Sequence, residues 1–185
     1  LGAESASGEI LLFLDSDVTV PVDLLAKLSV HFQDESVWAV QTLYTPICPA
    51  SDRISLYQNY YYFHTFTRRI KGPWIKGCGT FFFAVQTDFF NSLGGFDENI
   101  SGATIEDADF SERLWARGGR IVIAPEIQVF HLREYSTKDL FRYEWRMMLA
   151  KALYILRRDP ERGAPSVSVA GAGEMLPVTA GALLV

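Results

Sequence analysis

Hydrophobic residues form two kinds of pattern that alternate along the chain. Short, nearly continuous apolar runs at positions 10–14, 37–43 and 80–85 are typical of strands buried on both faces of a sheet. Apolar and aromatic residues at helical spacing predict a helix over 22–32 and a second helix that runs to about residue 70. Either Ser51 or Asp52 is predicted to cap the second helix. Because strands alternate with helices, the pattern predicts an α/β fold with a mixed, mostly parallel sheet flanked by helices.

The second half of the chain carries the same patterns with clearer boundaries. A pair of glycines ends a short helix predicted over 87–93. Thr104 is predicted to cap a helix over 105–117, and strand-like segments follow on either side of Pro125. Residues 138–158 form the longest helical pattern, in which basic residues are interleaved with large apolar ones.

Composition is that of one folded domain. The chain has 185 residues, of which 49% are hydrophobic and 21% charged, which suits a packed core and excludes a wholly disordered chain. The net charge of -5 disfavours a non-specific nucleic-acid binder, which is normally basic. Cys48 and Cys78 are too few for a disulfide framework and are interpreted as small buried residues.

Both ends have the character of cuts through a longer protein. The start has neither an initiator methionine nor a signal peptide. Residues 159–185 are rich in Gly, Ala, Ser and Pro, which predicts a flexible tail. The final stretch, 176–185, turns apolar, so the tail either ends there or leads to a membrane segment.

Asp15-Ser16-Asp17 directly follows the first predicted strand. Ligands bind at the carboxyl ends of strands in open α/β sheets, so two carboxylates are well placed there. Neighbouring carboxylates repel each other, and a divalent cation shared with substrate phosphates relieves that repulsion. The alternative is a turn in which the Asp and Ser side chains bond to nearby backbone N–H groups.

An acidic cluster opens the next-to-last predicted helix. Asp107 shares a helical face with Phe110 and Leu114, which are expected to face the core, so Asp107 is drawn to the interior edge of the sheet. A partly buried carboxylate there suits a general base, whereas the alternative is that acids in a first turn complement the helix dipole. Asp109 lies four residues before Arg113, which predicts a surface ion pair.

Two further segments carry candidate chemistry. Gly77 and Gly79 flank Cys78 ahead of a predicted strand. Glycines there either let the backbone approach a ligand closely or permit only a tight turn. Cys78 is disfavoured as a nucleophile because no base lies near it in sequence. His131 follows a predicted strand end and is either a structural residue or a third metal ligand.

Four segments, in this order, resemble those of the inverting family 2 glycosyltransferases, which have the GT-A fold. They are residues 2–17, Gly77-Cys78-Gly79-Thr80, Leu93-Gly94-Gly95-Phe96-Asp97-Glu98 and Glu106-Asp107-Ala108-Asp109-Phe110-Ser111-Glu112-Arg113-Leu114. Phe110 stands where the family more commonly has Leu. The resemblance covers residues 1–158 and implies the C-terminal portion of a catalytic domain, whose nucleotide-binding start would lie upstream. We therefore expect weak or no activity from residues 1–185 alone.

The resemblance also implies how the reaction would run. Asp17 would bind a divalent metal, Mn²⁺ or Mg²⁺, on the donor diphosphate, and Asp15 would contact the nucleotide or the sugar. Asp107 would deprotonate the acceptor hydroxyl for in-line attack, which inverts the anomeric carbon. The implied partners are a nucleotide-diphosphate sugar and a saccharide or lipid-linked acceptor.

Other residues acquire roles from the same resemblance. Glu106, Gly77, Cys78 and Gly79 would lie in the donor and acceptor site. His131 matches a position where some members carry a His that binds the metal or contacts the diphosphate.

Two other functions remain compatible with the residues. Asp15-Ser16-Asp17-Val18-Thr19 also fits the opening of a haloacid-dehalogenase-like phosphotransferase, in which the first Asp is phosphorylated. That family needs a later acidic pair at a strand end, whereas the acids here open a helix. The second alternative is a non-catalytic binding remnant of the glycosyltransferase fold.

The long pattern at 138–158 has two interpretations. Basic residues among Trp145, Met148 and Leu153 suit a helix that lies on a membrane surface. An amphipathic helix packed on the domain is the alternative. The first interpretation places the protein at the cytoplasmic side of a membrane, and the second leaves it in the cytoplasm.

Overall fold

The computed structural model describes residues 2–47, 49, 52–68, 72–100 and 104–157. The strands are β1 (Ile10–Leu14), β2 (Val18–Thr19), β3 (Val37–Tyr44), β4 (Trp74–Ile75), β5 (Phe82–Gln86) and β6 (Arg120–His131). The helices are α1 (Gly2–Ser5), α2 (Leu24–His31), α3 (Arg53–Thr67), α4 (Thr87–Ser92), α5 (Glu106–Ala116) and α6 (Thr137–Arg157). Within these residues the predicted strands and helices are present with their ends shifted by a few residues, and the two strand segments predicted around Pro125 form the single strand β6.

The strands form one mixed sheet in the order β1-β5-β3-β6-β2, and β4 pairs with β6. Within the described residues, β3 and β6 run parallel, while the other pairs are antiparallel. The α/β class and the mixed sheet are therefore confirmed, and the prediction of mostly parallel pairing is wrong for this part of the chain. An apolar run indicates that a strand is buried on both faces, but it does not indicate the direction of its neighbours. Strand β5 is buried in this way and runs antiparallel to both neighbours.

Pro125 lies inside β6 rather than between two strands. The pairing of β6 with β3 shifts register between Gln41, opposite Ile123, and Leu43, opposite Gln128. Pro125 falls within the stretch that this shift skips, so its missing N–H breaks no pairing with β3. The two predicted strand segments are thus one strand with an irregularity.

The core is formed by the sheet and by side chains of α2, α3, α4 and α5 that pack against it. Phe82 and Phe83 of β5 are fully buried, as are Phe110 and Leu114 of α5. The Phe83 and Phe110 rings meet edge to face with centroids 6.0 Å apart. This contact fixes which face of α5 points inward, as the helical spacing predicts.

The two predicted helix caps have different outcomes. Of the two predicted candidates, Ser51 and Asp52, it is Asp52 that caps α3, since its side chain accepts hydrogen bonds from the N–H groups of Ile54 and Ser55. Thr104 does not cap the next helix: α5 begins after Ile105, and no side chain caps it. Instead, the Thr104 N–H donates to the Glu106 carboxylate at 2.6 Å. The carboxylate inside the first turn therefore satisfies a backbone donor just outside it.

Some predictions fall outside the described residues, among them those on Cys48, on Arg158 and on the tail 159–185. Cys78 is buried, as predicted. Among the helices in the described residues, none has the length and apolar character needed to cross a membrane.

Candidate active site

The Asp15-Ser16-Asp17 segment bridges the ends of two strands. The Asp15 N–H donates to the Phe81 carbonyl at 3.1 Å, next to the start of β5. The Asp17 carbonyl accepts from the Leu132 N–H at 2.8 Å, just past the end of β6. Both carboxylates therefore lie where β1 and β6 end, the edge at which ligands bind in open α/β sheets.

Asp17 and His131 lie side by side, as candidate ligands of one metal require. The β2–β6 pairing places Val18 opposite His131, and the His131 Nε2 lies 3.7 Å from the Asp17 Oδ2. The His131 side chain is only 5% exposed, and its ring stacks on Tyr44 at a centroid distance of 4.7 Å. Burial lowers the pKa of His131, while the Asp17 carboxylate opposes that shift. A neutral imidazole is the form that binds metals.

Asp15 lies within electrostatic reach of the other acidic candidates. Loss of water contacts raises the pKa of Asp15, and the charges of Asp17 and Glu106 raise it further. The Arg133 guanidinium acts in the opposite direction. The fold thus brings the carboxylates after β1 together with those that open α5.

Asp107 occupies the first turn of α5 and is partly buried. Burial first, and then the Glu106 charge, raise the pKa of Asp107 to about 7. A hydrogen bond from the Ala108 N–H to Oδ1, 2.7 Å long, and the charge of Lys151 oppose this rise. The carboxyl group thus exchanges its proton near neutral pH, which suits a general base.

Gly77, Cys78 and Gly79 are attached to α5 and to the core. The Cys78 N–H donates to the Ser111 Oγ at 3.0 Å, and the Ser111 hydroxyl donates to the Asp107 carbonyl at 2.7 Å. Burial raises the pKa of the Cys78 thiol, which agrees with its exclusion as a nucleophile. A Cβ at Gly79 would lie 2.9 Å from the Phe81 ring, so this glycine serves core packing. The segment therefore supports the first turn of α5.

Asp109 pairs with Arg113 as predicted, but the pair is not at the surface. The Arg113 Nε lies 2.8 Å from the Asp109 Oδ2, and the Asp109 side chain is 8% exposed. The same guanidinium donates to the carbonyls of Leu93 and Gly95. Tyr154 of α6 donates to Asp109 from the other side at 3.3 Å. The Gly94-Gly95 turn and α6 cover the pair, and neither contact is evident from the i, i+4 spacing.

Sequence reasoning missed several polar residues around the carboxylates. Arg133 lies over the Tyr135 ring at 5.0 Å, and burial raises the pKa of Tyr135 to about 12. Tyr44 stacks between Phe81 and His131. Lys151 of α6 is close enough to affect the pKa of Asp107. The one available signal was that Arg133 and Tyr135 lie two and four residues after His131, which ends a strand.

The Asp17 and His131 side chains fit a divalent ion that takes its other ligands from substrate and water. A carboxylate oxygen and an imidazole nitrogen, 3.7 Å apart, are common ligands of such ions. Among the described residues, no group of three or more His, Cys, Asp or Glu side chains is arranged to hold a metal. Two protein ligands are sufficient where substrate phosphates supply the others.

Comparison with known proteins identifies the family. A sequence model of glycosyl transferase family group 2 matches residues 10–158, a span that includes every candidate site residue. The chain belongs to this family. The match removes the phosphotransferase interpretation of Asp15, and the acids at Glu106 and Asp107 do open a helix.

Curated relatives include polypeptide N-acetylgalactosaminyltransferases of Drosophila melanogaster. Number 12, whose name carries the word inactive, is 30% identical over 161 residues, which cover 77% of this chain and 28% of that protein. Number 3 is 26% identical over 170 residues, with 76% and 24% covered. The chain therefore spans about a quarter of the length of the relatives it matches.

Solved structures confirm the fold. The mannosyltransferase PcManGT from Pyrobaculum calidifontis, in complex with GDP-Man and Mn²⁺, matches 98% of this chain and 57% of its own, with a TM-score of 0.56 and 20% identity. S. aureus TarS 1–349 in complex with UDP-GlcNAc matches 85% of this chain and 45% of its own, with a TM-score of 0.53 and 14% identity. The expected GT-A glycosyltransferase fold is therefore present.

Proposed function

We propose that this chain carries the base and the metal ligands of an inverting glycosyltransferase. The enzyme would transfer a sugar from a nucleotide-diphosphate donor to an acceptor hydroxyl. The observation that carries the proposal is the Asp107 carboxylate, whose pKa is raised to about 7 and which shares one edge of the sheet with Asp15, Asp17 and His131. A general base is most effective when its pKa lies near the working pH.

Each residue has a defined part in this reaction. Asp107 takes the proton of the acceptor hydroxyl as the oxygen attacks the anomeric carbon. A bond then forms on one face of that carbon, the bond to the diphosphate breaks on the opposite face, and the configuration inverts. Glu106 keeps the pKa of Asp107 high, and Asp15 contacts the nucleotide or the sugar. The Arg133 charge lies beside Asp15, where it also favours an anionic donor.

Asp17 and His131 would hold the divalent ion. When bound, such an ion offsets the negative charge that develops on the departing nucleotide diphosphate. Tyr44 stacks on the His131 ring and limits its rotation. The ligands of the two similar solved structures, GDP-Man and Mn²⁺ in PcManGT and UDP-GlcNAc in TarS, support a nucleotide-sugar donor that is bound with a divalent ion.

Asp107→Asn tests the base in the protein that contains this chain. We expect transfer to fall by about 10²- to 10⁴-fold, because the amide cannot accept the proton. Release of nucleoside diphosphate from a panel of nucleotide sugars, with Mn²⁺ or Mg²⁺ and saccharide or lipid-linked acceptors, measures the rate. Asp88→Asn is the matched control, since Asp88 is an exposed acid in the first turn of α4.

The control is expected to keep wild-type activity. Unchanged transfer in Asp107→Asn would remove Asp107 as the base. Equal losses in both variants would attribute the effect to a helix-terminal charge rather than to proton transfer.

Asp17→Asn tests the metal ligand. We expect donor affinity measured by calorimetry with Mn²⁺ to fall by about tenfold or more, because a neutral amide is a weaker ligand than a carboxylate. Affinity measured with chelator present is expected to change little. Equal losses with and without Mn²⁺ would contradict the ligand assignment.

A second candidate is a non-catalytic binding protein of this fold, which the inactive relative's name favours. It predicts donor binding without transfer, and Asp107→Asn would then have no rate to reduce. Detectable transfer by the wild-type protein excludes this candidate.

A further inference from the structure

Helix α6 has two faces with different surroundings. Its half-buried residues recur three or four positions apart along one side and pack toward the domain: Leu140, Tyr143, Glu144, Met147, Ala150, Lys151 and Tyr154. Between them, the other side carries exposed residues. In a typical surface helix the side turned away from the domain is polar, whereas in α6 that side carries large apolar residues.

Two hydrogen-bonded tyrosines fix the orientation of α6 about its own axis. Tyr143 accepts from the Tyr62 hydroxyl of α3 at 2.6 Å. Tyr154 donates to Glu112 of α5 at 3.1 Å and to Asp109 at 3.3 Å. Since these contacts lie eleven positions apart, α6 cannot rotate to bury its outer side without breaking both.

The outer side carries an apolar stripe. Its members are Phe141, Trp145, Met148, Leu149, Leu153, Ile155 and Leu156. Phe141 is 68% exposed, Trp145 58% and Leu156 81%. A continuous patch of this kind, which includes a tryptophan, marks an interaction surface more often than single exposed apolar residues do.

Charge distinguishes α6 from the rest of the chain. The helix has five basic and two acidic residues, a net charge of +3, whereas the whole chain has a net charge of -5. The remaining residues therefore carry -8 together. Lys138, Arg142 and Arg146 are exposed and follow one another at intervals of four, beside the row of Phe141 and Trp145. An acidic protein thus presents a basic, apolar-striped helix.

We propose that the outer side of α6 binds the surface of an anionic phospholipid membrane. The apolar stripe would enter the boundary between headgroups and acyl chains, and the basic row would contact anionic headgroups. Charge complementarity favours this occupant over a second copy of the chain. Although the whole chain has a negative net charge, a second copy that packed α6 against α6 would bring two basic helices together. The inference goes beyond sugar transfer and does not rest on it.

The proposal unites the two interpretations of the 138–158 pattern. The helix packs on the domain through Tyr143 and Tyr154, and its other side remains available for the membrane. Binding would therefore hold α3, and α5 with its Asp107, at a fixed orientation to the lipid surface. The side of the membrane stays a prediction from the sequence.

Vesicle co-sedimentation of the whole chain tests the proposal. We expect binding to phosphatidylcholine vesicles that contain phosphatidylserine, weaker binding to pure phosphatidylcholine, and loss of the difference at high salt. The variant Trp145→Ser with Leu149→Ser is expected to bind about tenfold more weakly or worse. Its matched control, Leu25→Ser with Val30→Ser, removes two apolar residues of α2 that are 70% and 60% exposed and is expected to bind normally.

Charge reversal tests the basic row separately. Lys138→Glu, Arg142→Glu and Arg146→Glu together are expected to lower binding to anionic vesicles by about 100-fold, since each basic residue near the surface contributes about fivefold. The control reverses Arg53, Lys76 and Arg117, which are exposed elsewhere, and therefore has the same net charge. Equal losses in the two triple variants would overturn the assignment to α6. Circular dichroism and thermal unfolding verify that each variant is folded.

Trp145 fluorescence distinguishes the other occupants. The Trp145 signal is obtained by subtracting the spectrum of Trp145→Phe, and we expect it to shift to the blue and lose acrylamide quenching only when anionic vesicles are added. If Trp145 is shielded from acrylamide without vesicles and the chain does not bind vesicles, the apolar stripe is covered by residues 158–185 or by a second copy of the chain. Sedimentation velocity then separates these two, and either result overturns the membrane proposal.

Discussion

Asp107 and Asp109 lie two residues apart on α5, yet their surroundings differ. Asp109 is paired with Arg113 at 2.8 Å and accepts a second hydrogen bond from Tyr154. Asp107 instead has Glu106 as its neighbour in the chain, and burial first, then this like charge, raise the pKa of Asp107 to about 7. One helical turn thus holds a carboxylate with a close cationic partner and a carboxylate beside an anionic one.

The comparison separates stability from reactivity. The Asp109 region joins α5 to α6 and to the Gly94-Gly95 turn, so its charge holds elements together. The Asp107 region keeps a carboxyl group close to its protonation midpoint at neutral pH. Ionisation of this group lowers the free energy of unfolding, because its pKa is higher in the folded than in the unfolded chain. Perturbed carboxylates of this kind are typical of functional sites.

Asp109→Asn gives the largest expected change in stability. Loss of the carboxylate leaves the partly buried Arg113 guanidinium without its anionic partner, which costs about 3 kcal/mol. Urea denaturation at pH 7 measures the free energy of unfolding, and Asp88→Asn on α4 is the exposed control. A change as small as that of the control would show that the Asp109–Arg113 pair does not hold α5 in place.

Asp107→Asn is expected to change stability in the opposite direction. The folded pKa of Asp107, about 7, lies above the ordinary value of 3.8 for an Asp side chain. Between these values the folded protein retains a proton that the unfolded chain releases, so stability falls as the pH rises from about 4 to about 7. The neutral amide removes that loss and should stabilise the protein at pH 8, with no gain below pH 4. Denaturation at both pH values measures it, and a variant less stable at pH 8 than the wild type would contradict the raised pKa.

Ser111→Ala probes the support of the Asp107 turn. The hydroxyl accepts from the Cys78 N–H and donates to the Asp107 carbonyl, so its loss leaves a buried N–H without this partner. We expect a loss of about 1–2 kcal/mol in unfolding free energy. Ser29→Ala on α2, where the hydroxyl bonds at an exposed position, is the control and should change stability little. Equal effects would show that Ser111 has no special part in the turn.

Lys151→Gln gives the smallest expected effect, a shift in a pH profile. The wild-type transfer rate should rise with pH until about 7, where Asp107 loses its proton. Lys151 lowers the pKa of Asp107, so its removal should move the midpoint to higher pH. Arg117→Gln, an exposed basic residue at the end of α5, should leave the midpoint in place. A midpoint that moves to lower pH would contradict the direction.

Local patterns predicted most of the fold. The apolar runs identified β1, β3 and β5, and Asp52, the cap of α3, was one of the two cap residues predicted. These features depend on neighbours a few residues away, which the sequence displays directly. The resemblance to family 2 glycosyltransferases, confirmed by the match over 10–158, came from four short motifs in order.

Predictions failed where distant residues decide the outcome. Strand direction depends on which strands pair, so the mostly parallel sheet was wrong although the strands were right. The Asp109–Arg113 pair follows from i, i+4 spacing, but its burial depends on α6 and on the glycine turn. Lys151 was missed because nothing in its local sequence indicates proximity to Asp107. Arg133 and Tyr135 follow His131 at a strand end, but that position does not show that the fold brings them near Asp15.

By itself, the sequence determined the class of fold, the family and the identity of the candidate carboxylates, because these are properties of local pattern and of motif order. Only the tertiary structure decided which carboxylates interact. Pairing of β2 with β6 places Asp17 beside His131, and packing of α5 against the sheet buries Asp107 beside Glu106. A pKa near neutrality arises from burial and nearby charge, and both are set by residues far apart in the chain.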